Sequence, residues 1–204
     1  MRGPNLLCAL TSTLSVLLAA CASAPTHFYT LLAPPVADSP APPAAYAIAV
    51  EPVGVPAEDD QTQWLVRVSG GEVAVLDGER WAAPLSDELR AALAEELSRD
   101  LGAHEVYKSP GRDDRPVYRI QVQVRRFESA PAQYALIDAD WSVARRDGAT
   151  ALSCHSRVSQ PVEAGYPALA LGHQRAVSAI AAQIAAAVRG MAGATAACPQ
   201  EAAG

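Results

Sequence analysis

Val117-Tyr118-Arg119-Ile120-Gln121-Val122-Gln123-Val124-Arg125-Arg126-Phe127-Glu128 is the stretch on which the fold turns. Apolar and polar residues alternate along it. Tyr118, Ile120, Val122 and Val124 share one face, and Arg119, Gln121, Gln123 and Arg125 share the other. A period of two means a β-strand with one face buried and one in water. The pattern recurs downstream. From Tyr134 to Arg146, the residues Ala135, Ile137, Ala139, Trp141 and Val143 point one way, with Asp138 and Asp140 opposite. Asp147-Gly148 is turn chemistry, and Thr150 to Val162 reads as a further strand that ends near Gly165. Three such strands in a row predict an antiparallel meander.

Upstream of the meander, Leu85, Leu89, Leu93, Leu97 and Leu101 recur every four residues with Ala92 beside them. That is one apolar stripe on a helix packed against a sheet. Pro84 suits its first turn, Asp87 and Glu88 its positive end, and Gly102 its C-cap. A second helix is expected from about Pro167 to Met191, with Leu169, Ala176, Val177, Ile180, Ile184, Ala187, Val188 and Met191 on one face. Its other positions are rich in alanine, so a neighbour can approach closely. Trp64 to Ser69 and Glu72 to Leu76 flank Gly70-Gly71, which reads as a hairpin. Tyr46 to Glu51 reads as a buried strand stopped by Pro52, and His27 to Leu32 as a short strand. Between them, Ala33 to Ala45 carries Pro34, Pro35, Pro40, Pro42 and Pro43, which excludes a helix or central strand. We expect this stretch to be a long surface loop joining two strands of one sheet. The fold class is α/β: a mixed, largely antiparallel sheet with two main helices packed on it, in a single domain.

The chain begins with one positive charge, Arg2, followed by an apolar run from Leu6 to Ala20. This is the layout of a secretory signal, and it is too short for a comfortable membrane span of about 20 apolar residues. It ends Leu18-Ala19-Ala20-Cys21, which resembles the bacterial lipobox. Small residues there admit the signal peptidase, and the Cys21 thiol takes a diacylglycerol before cleavage. Ala22 follows in place of the aspartate that retains enteric lipoproteins in the inner membrane, so the outer membrane is favoured. The expected organisation is a signal peptide over 1–20, a lipidated tether over 21–27, a folded domain over 28–192 with the Pro/Ala-rich loop 33–45, and a flexible tail over 193–204.

Charge and cysteines narrow the function. The full chain carries −6, and loss of Arg2 with the signal leaves about −7 on the mature chain. An acidic chain does not read as a nucleic-acid binder, and it lacks a basic patch that would hold it to anionic head groups. Cys8 leaves with the signal and Cys21 is lipidated, so Cys154 and Cys198 remain in a compartment where disulfides persist. We expect them to pair, for roughly 3–4 kcal/mol by chain-entropy arithmetic.

Reactive constellations are missing. His27, His104, His155 and His173 do not fall in HExxH spacing, and there is no CxxC, GxSxG, SxxK, Walker loop or GxGxxG. Cys154 and His155 are adjacent on a strand and so point to opposite faces. No metal and no cofactor is expected. Asp138 and Asp140 face the same way, and paired carboxylates can do acid/base work. The plainer reading is a solvated strand face, or ion pairs with Arg125 or Arg126. Asp59-Asp60 reads as a solvated loop pair, and Trp81, Trp141 and Tyr118 read as core. The chain is expected not to be an enzyme.

The order of its motifs is similar to one family. The lipobox is followed by Phe28-Tyr29-Thr30-Leu31, then Val50-Glu51-Pro52-Val53-Gly54-Val55-Pro56, then Arg80-Trp81-Ala82-Ala83-Pro84-Leu85 opening a leucine helix. Val122-Gln123-Val124-Arg125-Arg126-Phe127 and Leu136-Ile137-Asp138-Ala139-Asp140-Trp141 complete the set. This resembles the PqiC/YmbA family of auxiliary lipoproteins of ABC-type and MCE-domain transport systems. The family's leucine-aspartate-arginine stretch after the Val-Pro corner is replaced here by Ala57-Glu58-Asp59-Asp60-Gln61-Thr62-Gln63-Trp64. The resemblance implies a non-enzymatic subunit anchored to the outer membrane on its periplasmic face. It implies a homo-oligomer, ring-forming, that docks on an MCE-domain protein carrying lipids between membranes. The alternative is an envelope-integrity lipoprotein that binds peptidoglycan or outer-membrane proteins.

Overall fold

The computed structural model of the chain describes residues 25–34, 41–107, 115–148, 150–193 and 195–198. The expected signal segment, Cys21 and the end of the tail lie outside the described residues. Among the described residues, eight strands and two helices follow in the order β1 (His27–Tyr29), β2 (Ala47–Val50), β3 (Gln63–Ser69), β4 (Glu72–Trp81), α1 (Leu85–Leu101), β5 (His104–Glu105), β6 (Val117–Ala130), β7 (Tyr134–Arg145), β8 (Ala151–Pro161) and α2 (Tyr166–Ala192).

The expected meander is present as β6, β7 and β8, antiparallel along nearly their whole lengths. One irregularity breaks the alternation in β6. Val124 pairs with Ala139 but Arg126 with Asp138, so Arg125 is an extra residue. Such a bulge flips the phase of everything after it. Phe127 and Ser129 therefore become the buried side chains, and Arg125 and Arg126 both face solvent. On the far side of β6, β2 pairs in parallel with its first half, and β5 extends the sheet beyond β2. The order is β5-β2-β6-β7-β8. Both faces of β2 are covered, which explains its unbroken apolar run. Ile48 and Val50 enter the main core, while Ala47 and Ala49 meet Val117 on the other face.

The remaining strands form a second sheet, ordered β1-β4-β3. The hairpin turns at Gly70-Gly71, with Gly70 at φ +39°. Its second strand outruns the sequence reading and reaches Trp81. Trp64 pairs with Leu76 but Gln63 with Arg80, so the strand bulges at 77–79 and then resumes. β1 pairs with this resumed end, in parallel. The Pro/Ala-rich loop therefore does not join two strands of one sheet, as expected from sequence. It leaves the three-stranded sheet and enters the five-stranded one. The reason is local: buried Glu88 of α1 accepts the Leu31 N–H at 2.8 Å and the Thr30 hydroxyl at 2.8 Å, fixing the end of β1 beside the start of α1.

Pro84 sits just before α1, one position earlier than a first-turn residue, and Asp60 Oδ1 accepts the Ser86 N–H at 3.3 Å. That contact serves one of the donors a helix start leaves open. Gly102 ends the helix at φ +61°, and a Cβ there would lie 2.2 Å from the Pro42 carbonyl oxygen. Only glycine fits that corner. α2 starts and ends within a residue of the reading. Its Leu169, Val177, Ile180, Ile184 and Val188 are buried, each side chain contributing about 1.5–3 kcal/mol. Both helices lie on one face of the five-stranded sheet. The three-stranded sheet packs over the far end of that same face. There Trp64, Trp81, Tyr29 and Phe127 form an aromatic cluster, with the Trp64 and Trp81 rings 4.3 Å apart. Trp81, Trp141 and Tyr118 are all core, as read.

Candidate functional site

With the helices on one face, the other face of β6, β7 and β8 is open. Its polar residues stand in rows set by strand register: Gln121, Ser142 and Ser153; then Gln123, Asp140 and His155; then Arg126, Asp138 and Arg157. The first two rows, with Glu51 and Gly54, line a shallow hollow of about 820 Å³. Asp138 and Asp140 share this face, as their spacing requires. Asp140 accepts from Arg125 Nη1 at 3.0 Å and meets His155 Nδ1 at 2.9 Å. These two partners, His155 first, hold its carboxyl below the usual carboxylate range. A general acid needs the opposite shift. Asp138 is buried and sits 3.6 Å from His155 Nε2 and 3.9 Å from Arg157 Nη1. The expected partner Arg125 is thus found, while Arg126 turns away to Glu128. The arrangement is a polar, charge-balanced sheet face.

A second hollow, of about 310 Å³, opens where β3 lies against the later half of β6. Glu128 is its hub. Oε1 accepts from Arg67 and from Arg126, each at 2.6 Å, and Oε2 accepts from the Tyr134 hydroxyl at 3.1 Å. Burial alone would raise the Glu128 pKa, but these hydrogen bonds together lower it. Asp59 lines the same hollow and is half-buried, so it is not the freely solvated residue read from sequence. Burial, then Glu58 and Glu128, push its carboxyl up to about 6. Its neighbour Asp60 serves α1 instead.

Cys154 and Cys198 are joined, with Cα atoms 5.5 Å apart. Cys198 lies at the outer margin of β8, its sulfur 3.2 Å from the Ser153 carbonyl oxygen. His155 on the adjacent position points to the opposite, open face, as alternation requires. Among the described residues, no group of His, Cys, Asp and Glu is placed to hold a metal ion. Among them, too, no helix is long and apolar enough to cross a membrane.

One polar group escaped the sequence reading. His173 is 0 % exposed and stacks on Phe127, with ring centres 4.0 Å apart. Trp64 Nε1–H donates to Ser129 Oγ at 2.8 Å, and that oxygen meets His173 Nε2 at 2.8 Å. The other ring nitrogen, Nδ1, is buried without a hydrogen-bond partner among the described residues. Burial pushes the ring pKa down to about 3, so it is neutral. A serine and histidine in contact suggest a catalytic pair, but both are buried, out of reach of substrate. They fasten β3, β6 and α2 together. The available signal was position: His173 follows Leu169 by one helical turn, on the apolar face of α2.

The family described as the ABC-type transport auxiliary lipoprotein component matches residues 29–185, from β1 almost to the end of α2. The chain belongs to this family. It is a family of transport accessories and not of enzymes. Among solved structures, the auxiliary lipoprotein is similar to an uncharacterized protein at 19 % identity and TM-score 0.64, over 81 % of this chain and 99 % of the other. It is also similar to a Xanthomonas campestris protein of the DUF330 family at 24 % identity and TM-score 0.59, over 78 % and 92 % of the two chains. At these identities the likeness concerns the fold. No curated protein matches the auxiliary lipoprotein in sequence.

Proposed function

We propose that this chain is a non-enzymatic adaptor, lipid-anchored through Cys21 to the periplasmic face of the outer membrane. It docks as a homo-oligomer on the MCE-domain protein of an ABC-type lipid-transport system. The observation that carries this is the bare polar face of β6–β8. It is broad and shallow, and its hydrogen-bonding groups are fixed by strand register on a rigid sheet. Such a surface suits protein docking, where polar contacts set orientation and partner choice. The family match supports the transport setting. The lipobox supports the anchor, because acyl chains contribute about 0.8 kcal/mol per buried methylene.

The test is a crosslinked pull-down of the tagged, lipidated protein from native membranes, read by mass spectrometry. Recovery of an MCE-domain protein, lost when Gln123 and Ser153 are both changed to arginine, is the expected result. Recovery of only peptidoglycan-linked or barrel-assembly partners would overturn the proposal in favour of an envelope-integrity role.

A further inference from the structure

The outward face of the three-stranded sheet carries exposed apolar side chains beside Gln63, Arg67 and Arg80, and of these Arg67 reaches across to Glu128. Trp64, Val66 and Trp81 point into the core, so their strand neighbours point out. Register aligns Leu65 with Val75, Arg67 with Val73, and Phe28 with Arg80 on that outward side. Phe28 is 65 % exposed, Val75 51 % and Val73 50 %. Half-exposed large apolar side chains gathered on one sheet face mark a surface that another phase or partner covers.

The chain itself indicates which. β1, the strand that carries Phe28, is the first described strand and an edge of this sheet. Even fully extended, the chain from Cys21 to Phe28 spans at most about 25 Å. A lipid on Cys21 therefore holds this sheet, before any other, within reach of the bilayer. The mature chain is acidic, so electrostatic attraction to anionic head groups does not orient it. A single lipidated residue fixes distance from the bilayer but does not by itself set which side of the domain faces it. Apolar side chains on the tethered sheet supply that orientation. Arg80, beside Phe28, can keep its guanidinium at the head groups while its stem lies along the apolar surface.

We infer that the outward face of the three-stranded sheet, through Phe28, Val73 and Val75, lies against the lipid bilayer as a second contact beside the anchor. This rests on the proposal that Cys21 is lipidated. The bilayer contact leaves the face of β6–β8 to serve as the docking surface.

The test uses the full chain, expressed with its own signal and purified with its anchor. With Cys154 and Cys198 paired and Cys21 acylated, Phe28→Cys and Val75→Cys each supply one free thiol for a spin label. Gln123→Cys on the polar face is the control. The labelled proteins are placed in vesicles of phosphatidylethanolamine and phosphatidylglycerol. Flotation reports the anchor. Relative collision rates with oxygen and with a water-soluble nickel chelate report label depth. The expected result is that all three proteins float, while labels at 28 and 75 favour oxygen severalfold over the label at 123. Flotation with all three labels equally open to nickel would overturn the inference and leave the anchor standing. Spin–spin broadening at 28 and 75 without the oxygen preference would overturn it in favour of a second copy on this face. Failure to float would remove the anchor and the inference together.

Discussion

Replacing His173 with glutamine should flatten the acid limb of this protein's stability curve. The ring is fully buried and neutral, with its pKa pushed down to about 3, against about 6.5 for an unfolded chain. Between those two values the unfolded chain binds a proton that the folded chain refuses. Stability then rises with pH across the window, by about 1.4 kcal/mol per unit. His173's share is complete above about pH 6.5 and is lost as pH falls toward 3. At about pH 4.5 the wild type should have lost roughly 2–3 kcal/mol through this residue alone. Glutamine does not titrate, yet it keeps a polar end for the Ser129 hydroxyl, so its cost near neutral pH is about 1–2 kcal/mol. The assay is urea unfolding of both proteins near pH 7 and near pH 4.5. Every other titrating group is common to the two and cancels in the difference. If both proteins lost equal stability between those pH values, the buried-neutral assignment of His173 would be wrong.

Other substitutions test the packing and the anchor. A Cβ on Gly172 would lie 2.3 Å from Val162 Cγ1 and 3.0 Å from Ala135 Cβ, so Gly172→Ala should destabilise by about 1–3 kcal/mol in thermal unfolding. Cys198→Ser should leave one reactive thiol where the unreduced wild type shows none, and should cost about 4 kcal/mol for a closed loop with a sequence separation of 44. Two reactive thiols in the unreduced wild type would refute the pairing. Glu128→Gln weakens the hydrogen bonds from Arg67, Arg126 and Tyr134; because both arginines are partly exposed and screened, the expected loss is about 1–2 kcal/mol by urea titration. Cys21→Ser should leave the protein soluble or unprocessed, and normal processing with normal membrane retention would refute lipidation.

Much of the architecture was legible because its signals are local. Alternation in β6 and β7 gave their faces, Gly70-Gly71 gave the hairpin, and the leucine stripe with Gly102 gave α1. What stayed hidden was pairing between strands far apart in the chain. Nothing in His27 to Leu32 names β4 as its parallel partner, and nothing in Tyr46 to Glu51 says that it pairs with Val117. Alternation assigns faces but never neighbours. The bulge at Arg125 was not read from the unbroken alternation, and it moved Phe127 and Ser129 to the inner face. The candidate face of β6–β8 was half legible: the shared side of Asp138 and Asp140 followed from spacing, while His155 and Arg157 as their partners required the register of β8. His173 was overlooked because a histidine between Gly172 and Gln174 reads as a surface residue until its helical phase is counted.

β8 ends the five-stranded sheet, and among the described residues no strand pairs with its far side. A bare strand edge invites one sheet to grow into the next. Here that edge is fenced at both ends. Cys198 is fastened beside Ser153 at one end, and Pro161, which has no amide hydrogen to offer, closes the other. Between the two posts lies only His155 to Gln160, about the length of an ordinary strand. Any incoming strand must fit that gap in length and register, so the two posts limit stacking of one sheet edge on another.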